Sequence, residues 1–102
     1  MQPFIAEKRE EIAELCRKHH VRRLSVFGSA VREDFDPERS DVDVLVAFTS
    51  LEFPGYTANL TSLRSGLESL WGREVDLIRE GVIRNQYRLK SIEADKVEIY
   101  AT

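Results

Sequence analysis

Asp41 and Asp43 stand two residues apart at the head of the apolar run Val42 to Phe48. On an extended strand alternate residues leave the same face, so both carboxylates project to one side. Hard anionic oxygens in that arrangement suit Mg²⁺ or Mn²⁺, which also take phosphate oxygens as ligands. Two such ions about 4 Å apart can activate an attacking oxygen and stabilise a departing pyrophosphate. Without a cation the pair is costly on an apolar strand, because like charges repel and burial penalises each of them. The bland alternative is a strand end whose two carboxylates face water.

Three further features share the chemistry. Gly28-Ser29 closes the preceding apolar run, with eleven residues between it and Asp41. Glycine lets backbone approach a phosphate closely, and Ser29 adds a hydroxyl and a backbone N–H. An ordinary turn after a strand reads the same way until its distance to Asp-x-Asp is counted in. Asp76 alternates against Val75 and Leu77 on a later strand. If that strand neighbours the first, Asp76 joins Asp43 as a third metal ligand and as the base that takes a proton from an attacking hydroxyl. Glu74 shares its face as a weaker substitute. Arg32 and Arg39 flank the loop between the two motifs. Either can steady a triphosphate and the charge developing on pyrophosphate, or simply be a solvated surface arginine.

The pattern around these residues predicts the elements that must hold them. Pro3 to His20 reads as an amphipathic helix, with Ile5, Ile12, Leu15 and Cys16 on one stripe. His19 and His20 then read as cap or surface residues beside a basic helix end. Arg22 to Phe27 reads as a strand, and Ser29 to Glu33 as a short helical turn. Asp34 to Ser40 reads as a loop. Val42 to Phe48 is apolar on both faces after its first residues, as in a sheet interior. Leu60, Leu63, Leu67 and Leu70 place a helix over Tyr56 to Trp71, stopped by Gly72. Glu74 to Ile78 reads as a strand, Ile83 to Glu93 as a short basic helix and Val97 to Tyr100 as an edge strand. A helical crossover favours a parallel pairing of the second and third strands. Strand order is left open.

Composition sets the limits. With 102 residues, 42% of them apolar and 32% charged, the chain supports one small domain spanning residues 1–102, not a disordered segment. A net charge of −3 gives no general attraction to nucleic acid or anionic membrane. The single cysteine, Cys16, excludes an intrachain disulfide and reads as a buried structural thiol. No signal peptide or membrane-spanning run is evident, so a cytoplasmic location is expected.

Phe27-Gly28-Ser29, then Asp41-Val42-Asp43, then a strand carrying Asp76, resemble the nucleotidyltransferase superfamily typified by DNA polymerase β. The wording LSVFGSAVRED…SDVDVLVAF resembles its minimal branch, the MNT domain proteins, and the likeness runs from about Val21 to Ile78. The resemblance implies an α/β (α+β) nucleotidyltransferase core, a small mixed sheet flanked by helices. It implies that Asp41, Asp43 and Asp76 bind Mg²⁺ (two ions, with Mn²⁺ as a substitute) and that Gly28 and Ser29 hold the phosphates of ATP. Minimal members are commonly encoded beside a HEPN-domain ribonuclease toxin, and act as its antitoxin by transferring AMP to a toxin tyrosine.

A domain of this size has little surface for selecting an acceptor, so a partner protein is expected to supply it, in a hetero-oligomer with the toxin. Neither a membrane nor direct nucleic-acid binding is expected. Two alternatives stay open. One is a binding module that neutralises its partner by occlusion, through Phe53, Tyr56 and Trp71. The other is nucleotidyl transfer to a small molecule or an RNA end.

Overall fold

In the computed structural model the structure describes residues 1–32, 36, 41–49 and 55–102. Arg39 and Phe53 therefore lie outside the described residues. The elements run α1 (Pro3–Ala6), α2 (Arg9–Lys18), β1 (Val21–Phe27), a 3₁₀ turn (Gly28–Ala30), β2 (Val42–Phe48), α3 (Tyr56–Trp71), β3 (Val75–Arg79), α4 (Gln86–Asp95) and β4 (Val97–Ala101).

The four strands form one mixed sheet in the order β3-β2-β1-β4. Strands β2 and β3 are parallel, joined by α3 as the crossover helix. β1 runs antiparallel to both β2 and β4. The expected α+β sheet with flanking helices is the fold observed, with β2 inside the sheet and β4 at an edge.

Alternation along the strands divides the sheet into two unequal faces. Leu24, Val26, Val42, Val44, Val46 and Val75 are buried on one face. They pack in a single core with Ile12 and Cys16 of α2 and with Leu63, Leu67 and Trp71 of α3. Gly66 sits inside α3 because a methyl group there would come within 2.7 Å of Leu15 on the helix alongside. Burial raises the Cys16 thiol to about 12, as befits an inert structural cysteine. The opposite face holds a smaller cluster, in which Phe27 and Leu45 meet Ile92 of α4, with Ile78 and Ile83 against them. No described helix is long and apolar enough to cross a membrane.

Three expectations need correction. The helix over Pro3–His20 is two pieces, broken at Glu7-Lys8. Its first turn is tied down separately, by the Gln2 N–H donating to the Ala30 carbonyl and by buried Ile5. His19 caps the second piece, its Nδ1 lying 2.7 Å from the Leu15 carbonyl and its Nε2 2.9 Å from Ser62 Oγ. The basic helix begins at Gln86, not Ile83, because the Asn85 side chain accepts from the Tyr87 and Arg88 N–H groups and so sets the N-cap. Of the aromatics expected at a contact surface, one belongs to the interior and one packs partly against it. Trp71 is buried in the main core, and the half-buried Tyr56 ring meets Phe48 edge-on at 5.4 Å.

Leu67→Ala, at a fully buried site, should lower unfolding free energy by about 2–5 kcal/mol. Asn85→Ala should cost only about 1 kcal/mol, with faster amide exchange confined to α4, whose single buried residue is Ile92. Chemical denaturation and hydrogen exchange read the two effects separately.

Candidate active site

The end of β1 and the beginnings of β2 and β3 meet at one border of the sheet. In the β1–β2 ladder Phe27 faces Asp43, and in the β2–β3 ladder Asp43 faces Asp76. Directly paired residues share a face, so the two aspartates are cross-strand neighbours on the less covered face. Glu74 lies outside this ladder, and its carbonyl accepts the Val42 N–H, pinning the start of β2 beside β3. Register therefore selects Asp76 over Glu74 as the companion of Asp43. Asp41 immediately precedes β2 and is exposed, as is Asp76, whereas Asp43 is half-buried.

Gly28 brings the turn against this carboxylate. Its φ of 73° is left-handed, which glycine adopts without steric cost. A Cβ built on it would stand 2.5 Å from Asp43 Oδ2, so no side chain fits there while Asp43 keeps its place. The Gly28 carbonyl accepts from the Val31 and Arg32 N–H groups, which shapes the 3₁₀ turn holding Ser29.

The electrostatics follow from this crowding. Asp43 is held above the ordinary carboxylate range, first by burial and then by the charges of Asp76 and Asp41. Arg88 and Arg32 pull in the opposite direction without cancelling the effect. Asp43 thus carries a charge that the protein disfavours, and a divalent cation beside it would relieve the penalty. The donor set is all carboxylate, hard oxygen that suits Mg²⁺ or Mn²⁺. Among the described residues no three His, Cys, Asp or Glu side chains converge tightly enough to enclose a metal by themselves. That is consistent with a site completed by substrate phosphate and water, the usual condition for Mg²⁺.

Arg32 is near enough to act on Asp43, but its guanidinium also donates to Asp95 Oδ2 at 2.6 Å, tying the turn to the end of α4. Arg88, which the sequence places only on a basic helix, was missed as a site residue. It reaches the site because α4 folds back over the less covered face, and a local pattern does not report that. Beyond Asp76 lies a groove of about 460 Å³, lined by Ile78, Ile83, Arg84 and Arg88 among others. A second cleft of about 340 Å³, beside Tyr56, Arg79 and Glu80, opens at the other end of β2 and β3. It holds none of these carboxylates.

The chain has relatives among known proteins. Residues 8–99 match the family model described as a nucleotidyltransferase domain. A Methanocaldococcus jannaschii protein named "Putative protein adenylyltransferase MJ0128" is 37% identical over 97 residues, covering 87% of this chain and 95% of that one. A second from the same organism, MJ1379, carries the same description and is 36% identical over equal coverage. Among solved structures, one described as a "putative minimal nucleotidyltransferase" superposes with a TM-score of 0.74 at 28% identity, covering 95% of both chains. A complex of a tri-AMPylated Shewanella oneidensis HEPN toxin with its MNT antitoxin shares the fold, with a TM-score of 0.63 at 16% identity and coverage of 94% and 71%. On this sequence and structural evidence the chain belongs to the nucleotidyltransferase family, as a minimal nucleotidyltransferase domain.

Proposed function

We propose that this nucleotidyltransferase is a metal-dependent protein adenylyltransferase that moves AMP from ATP to a tyrosine of a HEPN ribonuclease toxin and thereby acts as its antitoxin. The observation that carries the reading is the row of Asp43 and Asp76 on adjacent strands, with the Gly28 turn after β1 against Asp43 and Asp41 just before β2. The names of the M. jannaschii relatives support a protein acceptor and AMP as the group moved. The antitoxin role is supported by likeness in fold to an MNT antitoxin in complex with a HEPN toxin and to a toxin-antitoxin solved with AMP-PNP.

In this reading Gly28 and Ser29 receive the phosphates of ATP on the β1 side of the row. Asp41, Asp43 and Asp76 would hold the divalent cation, which supplies positive charge to the phosphate oxygens and to the leaving pyrophosphate. Asp76, exposed at the far side, accepts the proton from the acceptor hydroxyl. That oxygen forms its bond to the α-phosphorus as the bond from the α-phosphorus to the bridging oxygen breaks. Pyrophosphate then departs with the electron pair. Arg88 adds positive charge near Asp43, where negative charge accumulates in the transition state.

Intact-mass measurement of a co-expressed HEPN toxin, incubated with this chain, Mg²⁺ and ATP, tests the proposal. Gain of one or more AMP units is expected. Asp43→Asn should reduce the rate at least a hundredfold, about 3 kcal/mol of barrier. Transfer that survives that substitution would remove Asp43 from the mechanism. Gly28→Ala should also slow transfer, since its Cβ collides with the Asp43 carboxylate and its backbone is left-handed. Measuring Ala and Ser at position 28 against wild type checks that geometry.

Stability gives an independent reading. The folded state binds a proton on Asp43 more tightly than the unfolded chain, whose carboxyl keeps the ordinary value of 3.8. Stability from this group is therefore lost as pH rises from 3.8 through the raised folded value, and the penalty is complete above that. In chelator, Asp43→Asn should melt higher than wild type at neutral pH, and the difference should close as pH falls below the window. Mg²⁺ should raise the melting temperature of wild type and leave the variant nearly unchanged.

A further inference from the structure

We infer that the groove beside Asp76 is the acceptor subsite of this domain, and that it takes a hydroxyl-bearing segment of a protein flanked by acidic side chains, held by Arg84 and Arg88. The inference rests on the transfer reading above and adds to it the chemistry of the acceptor.

Direction across the sheet is the first ground. Displacement at phosphorus places the attacking and leaving oxygens roughly in line. The strand order β3-β2-β1 puts the Gly28 turn on one side of Asp43 and Asp76 on the other. Adjacent strands lie about 4.8 Å apart. With the phosphates on the β1 side, the acceptor must approach across β3, the free edge of the sheet. The groove opens there, next to the carboxylate that receives the hydroxyl proton.

Size and lining are the second ground. A volume of about 460 Å³ lies within the roughly 300–1,000 Å³ of ligand clefts. Ile78 and Ile83 give it an apolar floor on which a tyrosine ring can rest, and half-exposed Val82 forms part of the rim.

Charge is the third ground. Arg84 and Arg88 are both exposed, and neither guanidinium forms an ion pair among the described residues. Arg23 and Arg32, by contrast, are engaged by Glu80 and Asp95. Two exposed guanidinium groups on the acceptor side, Arg88 also within electrostatic reach of Asp43, complement carboxylates on the incoming segment. They would repel a basic one.

Two synthetic peptides test this, each with a central tyrosine, one flanked by glutamates and one by lysines. Amide shifts of the isotope-labelled chain read binding without nucleotide, and label from [α-³²P]ATP with Mg²⁺ reads transfer. The acidic peptide should shift residues 76–88 and bind about tenfold tighter, the effect of roughly 1.4 kcal/mol from two exposed charge pairs. The double variant Arg84→Glu/Arg88→Glu should reverse the preference, and Arg84→Glu alone should reduce it. Equal binding of the two peptides, shifts centred away from the groove, or a preference untouched by the charge swap would overturn the inference. Asp43-dependent transfer that ignores flanking charge would sink the acceptor inference and leave the reaction standing. Selective binding without transfer to either peptide would leave the groove standing and remove the reaction.

Discussion

A half-buried carboxylate in the middle of a sheet, with like charges on either side, is the constraint from which the rest of this molecule follows. Asp43 lies on β2, hydrogen-bonded to strands on both flanks, so it cannot swing out to water as a chain end would. Asp76 is fixed beside it by parallel register, Asp41 precedes it by two residues, and Gly28 closes the remaining approach. Each of these placements makes the charged form of Asp43 less favourable. A protein selected for stability alone would put an apolar residue at this position. The arrangement makes sense as a site whose excess negative charge is offset by what binds there, which in the proposed reading is a divalent cation.

The two faces of the sheet divide the work. The face against α2 and α3 is dry and aliphatic, and it carries nearly all of the deeply buried side chains. That core is built from the helix–strand–helix framework, and the acidic side chains lie on the opposite face. The other face has a three-residue buried cluster and one helix that sinks a single side chain. Keeping the strain of the acidic row away from the main core lets a chain of this length tolerate it, since a small domain has only a few kcal/mol to spare.

Much of this was legible in the residues. Val42, Val44 and Val46 alternate against Asp43 and Leu45, which locates β2 and tells which side is charged. The leucines of α3 repeat at helical spacing and, as a crossover, imply that β2 and β3 run parallel. From these two readings the meeting of Asp43 and Asp76 follows once the strands are neighbours. What pattern could not supply was long-range pairing. That β4 returns to the β1 edge, or that α4 lies over the second face and carries Arg88 toward Asp43, depends on contacts between residues far apart in the chain. The break at Glu7-Lys8 was hidden for a similar reason. Ile5 and Ile12 keep one helical stripe on either side of it, while the first turn is tied to the distant Ala30 by Gln2. Trp71 shows the reverse error. A large aromatic beside a glycine stop looks exposed in sequence, yet the last turn of α3 faces the core, so the ring is buried.

The thin packing of α4 has a consequence for how the site meets a macromolecular acceptor. Local opening costs least where few apolar contacts are lost, and α4 gives up little beyond Ile92 and the contacts around it. Its position is instead held by polar devices, the Asn85 cap at one end and the Arg32–Asp95 ion pair at the other. Both lie at the rim of the acidic border. The Arg32 contact joins the phosphate-side turn to the helix whose first turn carries Arg88 on the acceptor side. Through that ion pair the Gly28 turn and the Arg88-lined wall of the groove beside Asp76 both bear on α4.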